Sequence, residues 1–165
     1  MPVGWSIDNA APSGEATIFP CIGSLTLPKN HHFLSATIQF QNGPVPVFSE
    51  KLTTDGSPLA AVFRSGVRAL DRCKSVTLSG LPASIGRMSF PTLGNASAAF
   101  AATFTYKGTP AGLDLIIFRS GIYEGLLVYV DAGTPEVSAV KALAEAAVAK
   151  VEGKLIPAVS AVPTT

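Results

Sequence analysis

The chain has 165 residues and a mass of 17.0 kDa, and this length suits a single domain. Charged residues make up 14% of the sequence, against roughly 25% in typical soluble domains, and the mean hydropathy is +0.38. Twelve basic and eleven acidic residues give a net charge of +1 without a dense basic patch, which excludes nucleic acid as an expected partner. Apolar runs stop well short of the roughly 18 residues of a spanning helix, so we expect no membrane-spanning segment.

Composition divides the chain into three parts. Residues 1–17 are rich in Gly, Pro, Ser and Asn and predict an irregular leader, in which Trp5 docks on the rest of the domain. Residues 18–156 form the predicted single α+β domain, and residues 157–165 form a flexible tail. The first twenty residues lack the basic start and apolar run of a signal peptide, so we expect the sequence to represent a mature domain.

Hydrophobic periodicity predicts two strands ahead of a first helix. A half-buried strand at 36–40 precedes a turn at Asn42–Gly43 and an edge strand at 45–48. The helix begins at Pro58 and ends at Cys73. Its apolar stripe predicts packing against a sheet and consists of Leu59, Phe63, Val67 and Leu70.

A meander of strands and a second helix follow. The predicted strands lie at 75–78, 84–90, 97–106, 113–119 and 122–130. The second helix opens at Thr134 and stops at Gly153. The chain is therefore predicted to be α+β, with an antiparallel β-sheet of about five to six strands and two helices packed on one face.

Three arginines repeat every four residues along the first helix. Arg64, Arg68 and Arg72 therefore line one edge of it. One interpretation is a contact for an anionic head group or phosphate, and the other is a solvated face that Asp71 partly balances. We favour the solvated face.

The two cysteines, Cys21 and Cys73, lack the close spacing of a redox or zinc site. We expect them to form one disulfide, which indicates an oxidising compartment. The alternative is a pair of buried thiols in a cytosolic protein.

The predicted sheet has two largely apolar faces. One face is a candidate ligand-binding surface, since an antiparallel sheet with helices on one side normally presents polar residues on the other. The candidate residues are Ile116, Phe118, Tyr123, Leu127 and Tyr129. Alternatively, the leader and the residues up to about 35 fold across this face and make it core.

No catalytic or metal-binding constellation stands out, so we expect a protein without enzymatic activity, metal or cofactor. The histidines, His31 and His32, are adjacent and point apart in an extended chain. Nucleophile elbows, phosphate loops and dinucleotide motifs are missing from the sequence. Asp114 and Glu124 lie on adjoining strands, which leaves a carboxylate pair open.

Three segments carry a resemblance to a known family. They are Pro58–Cys73, which ends in cysteine, Met88–Phe100, which contains a Gly-Asn-x-Ser step into a strand, and Leu113–Tyr123, which contains an Arg-x-Gly strand end. Together, over residues 55–154, they resemble actinobacterial envelope proteins, specifically mycobacterial lipoproteins and the extracellular sensor domain of PknH-type Ser/Thr kinases. Those kinase domains typically carry two disulfides around a cleft, whereas this chain can form one. The resemblance implies an exported, non-enzymatic domain at the cell envelope.

Two functions follow as hypotheses. The first is a sensor-like or lipoprotein binding module, extracellular or in the cell envelope, that binds a small apolar ligand, a lipid or a protein. Its full-length form could be tethered to a membrane. The second is a structural or interaction protein that dimerises or pairs through the apolar sheet face.

Overall fold

The computed structural model describes residues 4–7, 34–54, 58–78, 80–134 and 136–153. These residues form eight strands and two helices. The strands are β1 (Ser6–Ile7), β2 (Leu34–Gln41), β3 (Val47–Thr54), β4 (Ser75–Leu78), β5 (Leu81–Arg87), β6 (Ala96–Tyr106), β7 (Thr109–Ser120) and β8 (Tyr123–Ala132). The helices are α1 (Pro58–Arg72) and α2 (Val137–Val151).

All eight strands belong to one antiparallel sheet in the order β1-β2-β3-β8-β7-β6-β5-β4. The central strands β7 and β8 pair over ten residues, from Ala111 opposite Ala132 to Ser120 opposite Tyr123. Helix α1 leads from β3, beside the centre of the sheet, to β4 at its edge. Helix α2 follows β8.

The two helices cover opposite faces of the sheet. Residues Leu115 and Ile117 of β7 belong to the core cluster that contains Leu70 of α1. The alternating residues Ile116 and Phe118 belong to a second cluster, which contains the buried face of α2. We call the two sides the α1 face and the α2 face. The molecule is therefore a three-layer arrangement with a core on each side of the central strands.

This arrangement corrects the predicted fold class. The sheet has eight strands instead of about five to six, and the two helices do not share one face. The physical reason is the two-sided apolar pattern of β7 and β8. Strands that are apolar on both faces need a covering layer on each, and one helix per face supplies it.

Two of the three segments that carry the family resemblance, the Gly-Asn-x-Ser step and the Arg-x-Gly strand end, contact each other. The amide N of Asn95 donates to the carbonyl oxygen of Arg119 at 2.7 Å, and its side-chain Oδ1 accepts from the amide N of Gly121, also at 2.7 Å. Ser97 Oγ accepts a hydrogen bond from the amide N of Leu93 at 2.9 Å. These residues hold the segment before β6 against the β7–β8 turn, so their role here is structural.

Parts of the predicted organisation lie outside the described residues. These parts include Cys21, His31, His32 and the tail at 157–165, so the division into leader, domain and tail stays a prediction. Within the predicted leader, Ser6–Ile7 pairs with β2, and Trp5 packs against the second core cluster as predicted. Neither of the two described helices is long and apolar enough to cross a membrane.

Candidate functional site

Four of the five predicted ligand-binding residues are core residues. Ile116, Phe118 and Leu127 are 0% exposed and Tyr129 is 5% exposed. They pack in the cluster that also contains the buried face of α2, namely Val140, Ala144, Ala147 and Val148. Helix α2 therefore covers this part of the sheet, which the sequence predicted to be covered by a ligand, a partner or the leader. Helix α2 also occupies the area of the sheet through which two subunits were predicted to pair.

Tyr123, the fifth residue, does not belong to this core cluster. It is half-buried at the start of β8, and its neighbours across β3 and β2 are Thr54 and Leu34. A pocket of about 260 Å³ opens here and is almost entirely apolar in its lining. We call it the Tyr123 pocket, lined by Leu34, Ser35, Ala36, Leu52, Thr53, Thr54 and Tyr123.

The register explains why this pocket continues the core. Leu52 and Ala36 lie in one row across the sheet with Gly125 and Phe118. The Phe118 ring fills the space over Gly125, where an added Cβ would lie 2.1 Å from the ring. The next row of the sheet contains no large side chain that belongs to the core. It consists of Leu34, Thr54, Tyr123 and Ser120. At this row the α2 face therefore changes from core to open pocket.

One residue of the pocket's lining is a large and exposed apolar residue. Leu34 is 72% exposed in its lining, and Ile122 is 56% exposed in the turn next to Tyr123. A single exposed apolar residue is ordinary, but a concave surface lined by apolar side chains is typical of a ligand-binding site. Thr54 is the hydroxyl residue of the lining whose side chain lies on this face, since Ser35 and Thr53 alternate to the other face of the sheet.

The carboxyl groups of Asp114 and Glu124 lie on opposite faces of the sheet. Asp114 is paired in register with Tyr129 on the α2 face, whereas Glu124 is paired with Arg119 on the α1 face. The carboxylate pair that the sequence left open is therefore not formed. Burial raises the pKa of Asp114 to about 6. Burial raises the pKa of Glu124 to about 7, and the nearby charge of Arg119 opposes this shift.

Asp114 has a buried oxygen, Oδ2, without a hydrogen-bond partner among the described residues. Next to it, Tyr129 donates a hydrogen bond from its hydroxyl to Oδ2 of Asp131 at 3.3 Å. Burial and the charge of Asp131 raise the pKa of Tyr129. The described residues contain no group of three potential metal ligands.

A second depression lies over β4, β5 and β6 on the α2 face. It measures about 490 Å³ and contains the hydroxyl residues Ser75, Ser84, Thr103 and Thr105 in its lining. These four residues are exposed, and the surface is open. It offers hydrogen bonds over a wide area but does not enclose an apolar group.

Cys73 follows α1 and is buried in the first core cluster. Because Cys21 lies outside the described residues, the Cys21–Cys73 disulfide stays a prediction. Sequence reasoning missed Leu34, Ala36 and Leu52 as site residues. The predicted strand that contains Ala36 begins two residues after Leu34, whereas β2 begins at Leu34. Leu52 follows three polar residues that interrupt the apolar pattern of β3.

The chain matches no protein-family model, no curated protein and no solved structure. The resemblance to actinobacterial envelope proteins stays a prediction.

Proposed function

We propose that this domain is a non-catalytic binding module whose Tyr123 pocket takes up a small apolar ligand or part of a lipid chain. The observation that carries the proposal is the apolar lining of this pocket, which includes the exposed aliphatic side chain of Leu34. Burying such side chains stabilises a complex by roughly 1.5–3 kcal/mol each when burial is complete.

The size of the pocket limits what it can hold. Its volume of about 260 Å³ lies just below the range of roughly 300–1,000 Å³ that is typical of ligand pockets. An alkyl segment or a single ring fits this volume better than a whole drug-sized molecule. The hydroxyl group of Thr54 suits an uncharged polar group at one end of the ligand.

The arrangement of acids supports binding over catalysis. Asp114 and Glu124 have the raised pKa values expected of general acids, but the sheet lies between their carboxyl groups. Acid–base catalysis needs both groups within reach of one substrate. Neither residue lines the Tyr123 pocket. An extracellular or cell-envelope location is part of the proposal and rests on the sequence resemblance and the two cysteines.

Titration with the uncharged fluorescent probe N-phenylnaphthylamine tests the pocket. We expect saturable binding to the wild-type protein, and binding weakened about tenfold in Leu34→Ser, which corresponds to about 1.4 kcal/mol of lost apolar contact. Since Leu34 is exposed, the melting temperature of the Leu34→Ser variant should stay close to that of the wild type.

Val137→Ser is the matched control, since Val137 is also an exposed aliphatic residue but lies at the start of α2, outside the pocket. It should leave probe binding unchanged. Equal weakening by the two substitutions, or no saturable binding to the wild-type protein, would overturn the proposal.

A further inference from the structure

The outer side of α1 carries a continuous positive stripe. Arg64, Arg68 and Arg72 are all exposed, and their spacing of four residues places them on one side of the helix. Phe63 and Val67 of the same helix pack against the first core cluster. The stripe therefore faces away from the sheet, and its side chains are accessible.

The acid that the sequence suggested as a balance for this stripe is used elsewhere. Asp71 Oδ1 accepts a hydrogen bond from Nη1 of Arg87 on β5 at 2.6 Å. Across the described part of the chain, Arg64, Arg68 and Arg72 form no ion pair. The three arginines are exposed to solvent, as the favoured interpretation expects, but Asp71 pairs with Arg87 and not with them.

The charge of the chain is distributed unevenly as a result. Lys74 follows α1 and is also exposed, so four basic residues lie along or directly after this helix. Asp71 is the acid of this segment, so the rest of the sequence has 8 basic and 10 acidic residues, although the whole chain has a net charge of +1. A positive helix on an otherwise acidic molecule orients that molecule when it approaches a negative surface.

We infer that the outer side of α1 docks on the surface of an anionic lipid bilayer. The three arginines span about 12 Å along the helix, at about 1.5 Å per residue. A guanidinium group can bind two phosphate oxygens at once, and a convex helix can present its whole stripe to a flat layer of phosphates. Duplex nucleic acid fits less well, since it is bound through larger basic surfaces and the rest of this chain is acidic.

This contact does not depend on the Tyr123 pocket, because the pocket lies on the α2 face and the stripe lies beyond the α1 face. Each basic residue near an anionic membrane contributes about 1 kcal/mol, and added salt weakens the contribution. Four such residues give a weak, reversible attachment that sets the orientation of the domain on the membrane.

Co-sedimentation with vesicles tests the inference. One set of vesicles contains equal parts of phosphatidylcholine and phosphatidylglycerol, and the other contains phosphatidylcholine alone. We expect the protein to bind the anionic set at low salt, to be released at high salt, and not to bind the neutral set. The double variant Arg64→Gln, Arg68→Gln should partition roughly 30-fold less onto anionic vesicles, at about 1 kcal/mol for each lost charge.

The matched control is Lys107→Gln, Lys141→Gln, which removes two exposed lysines outside α1 and gives the same change in net charge. It should reduce the partitioning several times less than the arginine variant. Equal losses, binding to neutral vesicles, or tighter binding to a duplex DNA oligonucleotide than to anionic vesicles at equal salt would each overturn the inference. Circular dichroism of both variants checks that they remain folded.

Discussion

Gly125 shows how a single hydrogen atom in place of a side chain supports the core. A Cβ at this position would meet Cε1 of Phe118 at 2.1 Å, and the ring cannot move aside because Phe118 is completely buried. We expect Gly125→Ala to lower the free energy of unfolding by about 1–3 kcal/mol, the usual cost of overpacking. Urea unfolding followed by circular dichroism measures the change.

Gly86→Ala is the control for that substitution. Gly86 also lies in a strand, but a Cβ there meets nothing within 4 Å. The free energy of unfolding should change by less than about 0.5 kcal/mol. If both glycine variants lost the same stability, crowding by Phe118 would not be the reason that β8 requires glycine.

Asp114 and Glu124 make stability depend on pH in an unusual direction. Their pKa values rise from 3.8 to about 6 and from 4.5 to about 7 on folding, so the folded protein holds protons that the unfolded chain has released. Stability from these groups is therefore highest below pH about 4, falls as pH rises through the folded pKa values, and is constant above them. We expect Asp114→Asn to be more stable than the wild type at pH about 8, by on the order of 1–3 kcal/mol, and similar to it at pH about 4.

Urea unfolding of the wild type, Asp114→Asn and Glu124→Gln across this pH range tests the prediction. Comparison of each variant with the wild type cancels the titration of all other groups, including the histidines. The two effects should add in the double variant, because the carboxyls lie on opposite faces of the sheet. A variant whose stability follows the wild-type curve at every pH would show that the replaced carboxyl does not titrate on folding.

The sequence predicted which residues of β7 and β8 share a side. Leu115 and Ile117 lie on one face of the sheet, and Ile116 and Phe118 lie on the other, as their alternation indicated. Periodicity could not tell which layer covers each side, because an apolar residue under a helix and one in an open pocket have the same pattern. Tyr123 and Leu127 share a side, yet only Tyr123 lines a pocket.

Helix α2 is attached at its carboxyl end by polar contacts to two strands. Lys150 Nζ donates to Oε2 of Glu50 on β3 at 2.9 Å, and Ser120 Oγ on β7 donates to Oε1 of Glu152 at 2.9 Å. The Glu50 side chain is 4% exposed, so loss of Lys150 leaves a buried carboxylate without its charged partner. We expect Lys150→Ala to lower the free energy of unfolding by about 1–3 kcal/mol, and hydrogen exchange to speed up in the last turn of α2.

Lys141→Ala separates this effect from the general loss of a lysine. Lys141 pairs with Glu145 at 3.2 Å on the exposed side of the same helix, and both side chains are about half exposed. Such a pair contributes about 0.3–0.5 kcal/mol, so its removal should be close to neutral. A similar cost for the two lysine variants would contradict the role of Glu50.

The contact between Glu50 and Lys150 also shows why the sequence predicted the elements unevenly. Both helices were predicted to within a few residues, since local spacing and end residues define them. Strand β3 was predicted to end at residue 48, whereas it runs to Thr54. Sequence pattern alone places Glu50 outside a strand, and its partner Lys150 is 100 residues away in the chain.

At the scale of the whole molecule, the sequence predicted one antiparallel sheet with two helices but not how the layers stack. Helix α2 carries small residues, Ala144 and Ala147 among them, that allow it to lie close to either face of a sheet. The deciding information is the pairing of β3 with β8, which places the early strands beside the last one and widens the area that needs cover. No local pattern contains a pairing between such distant segments.

That pairing has a consequence for synthesis on the ribosome. Val47 lies beside Val130, so β2 and β3 leave the exit tunnel long before the strand that joins them to the rest of the sheet. Until β8 emerges, the nascent β3 has an edge of unpaired amide and carbonyl groups that can recruit other chains. Translation that pauses ahead of Tyr123 thus prolongs the interval in which this polypeptide is most prone to aggregate.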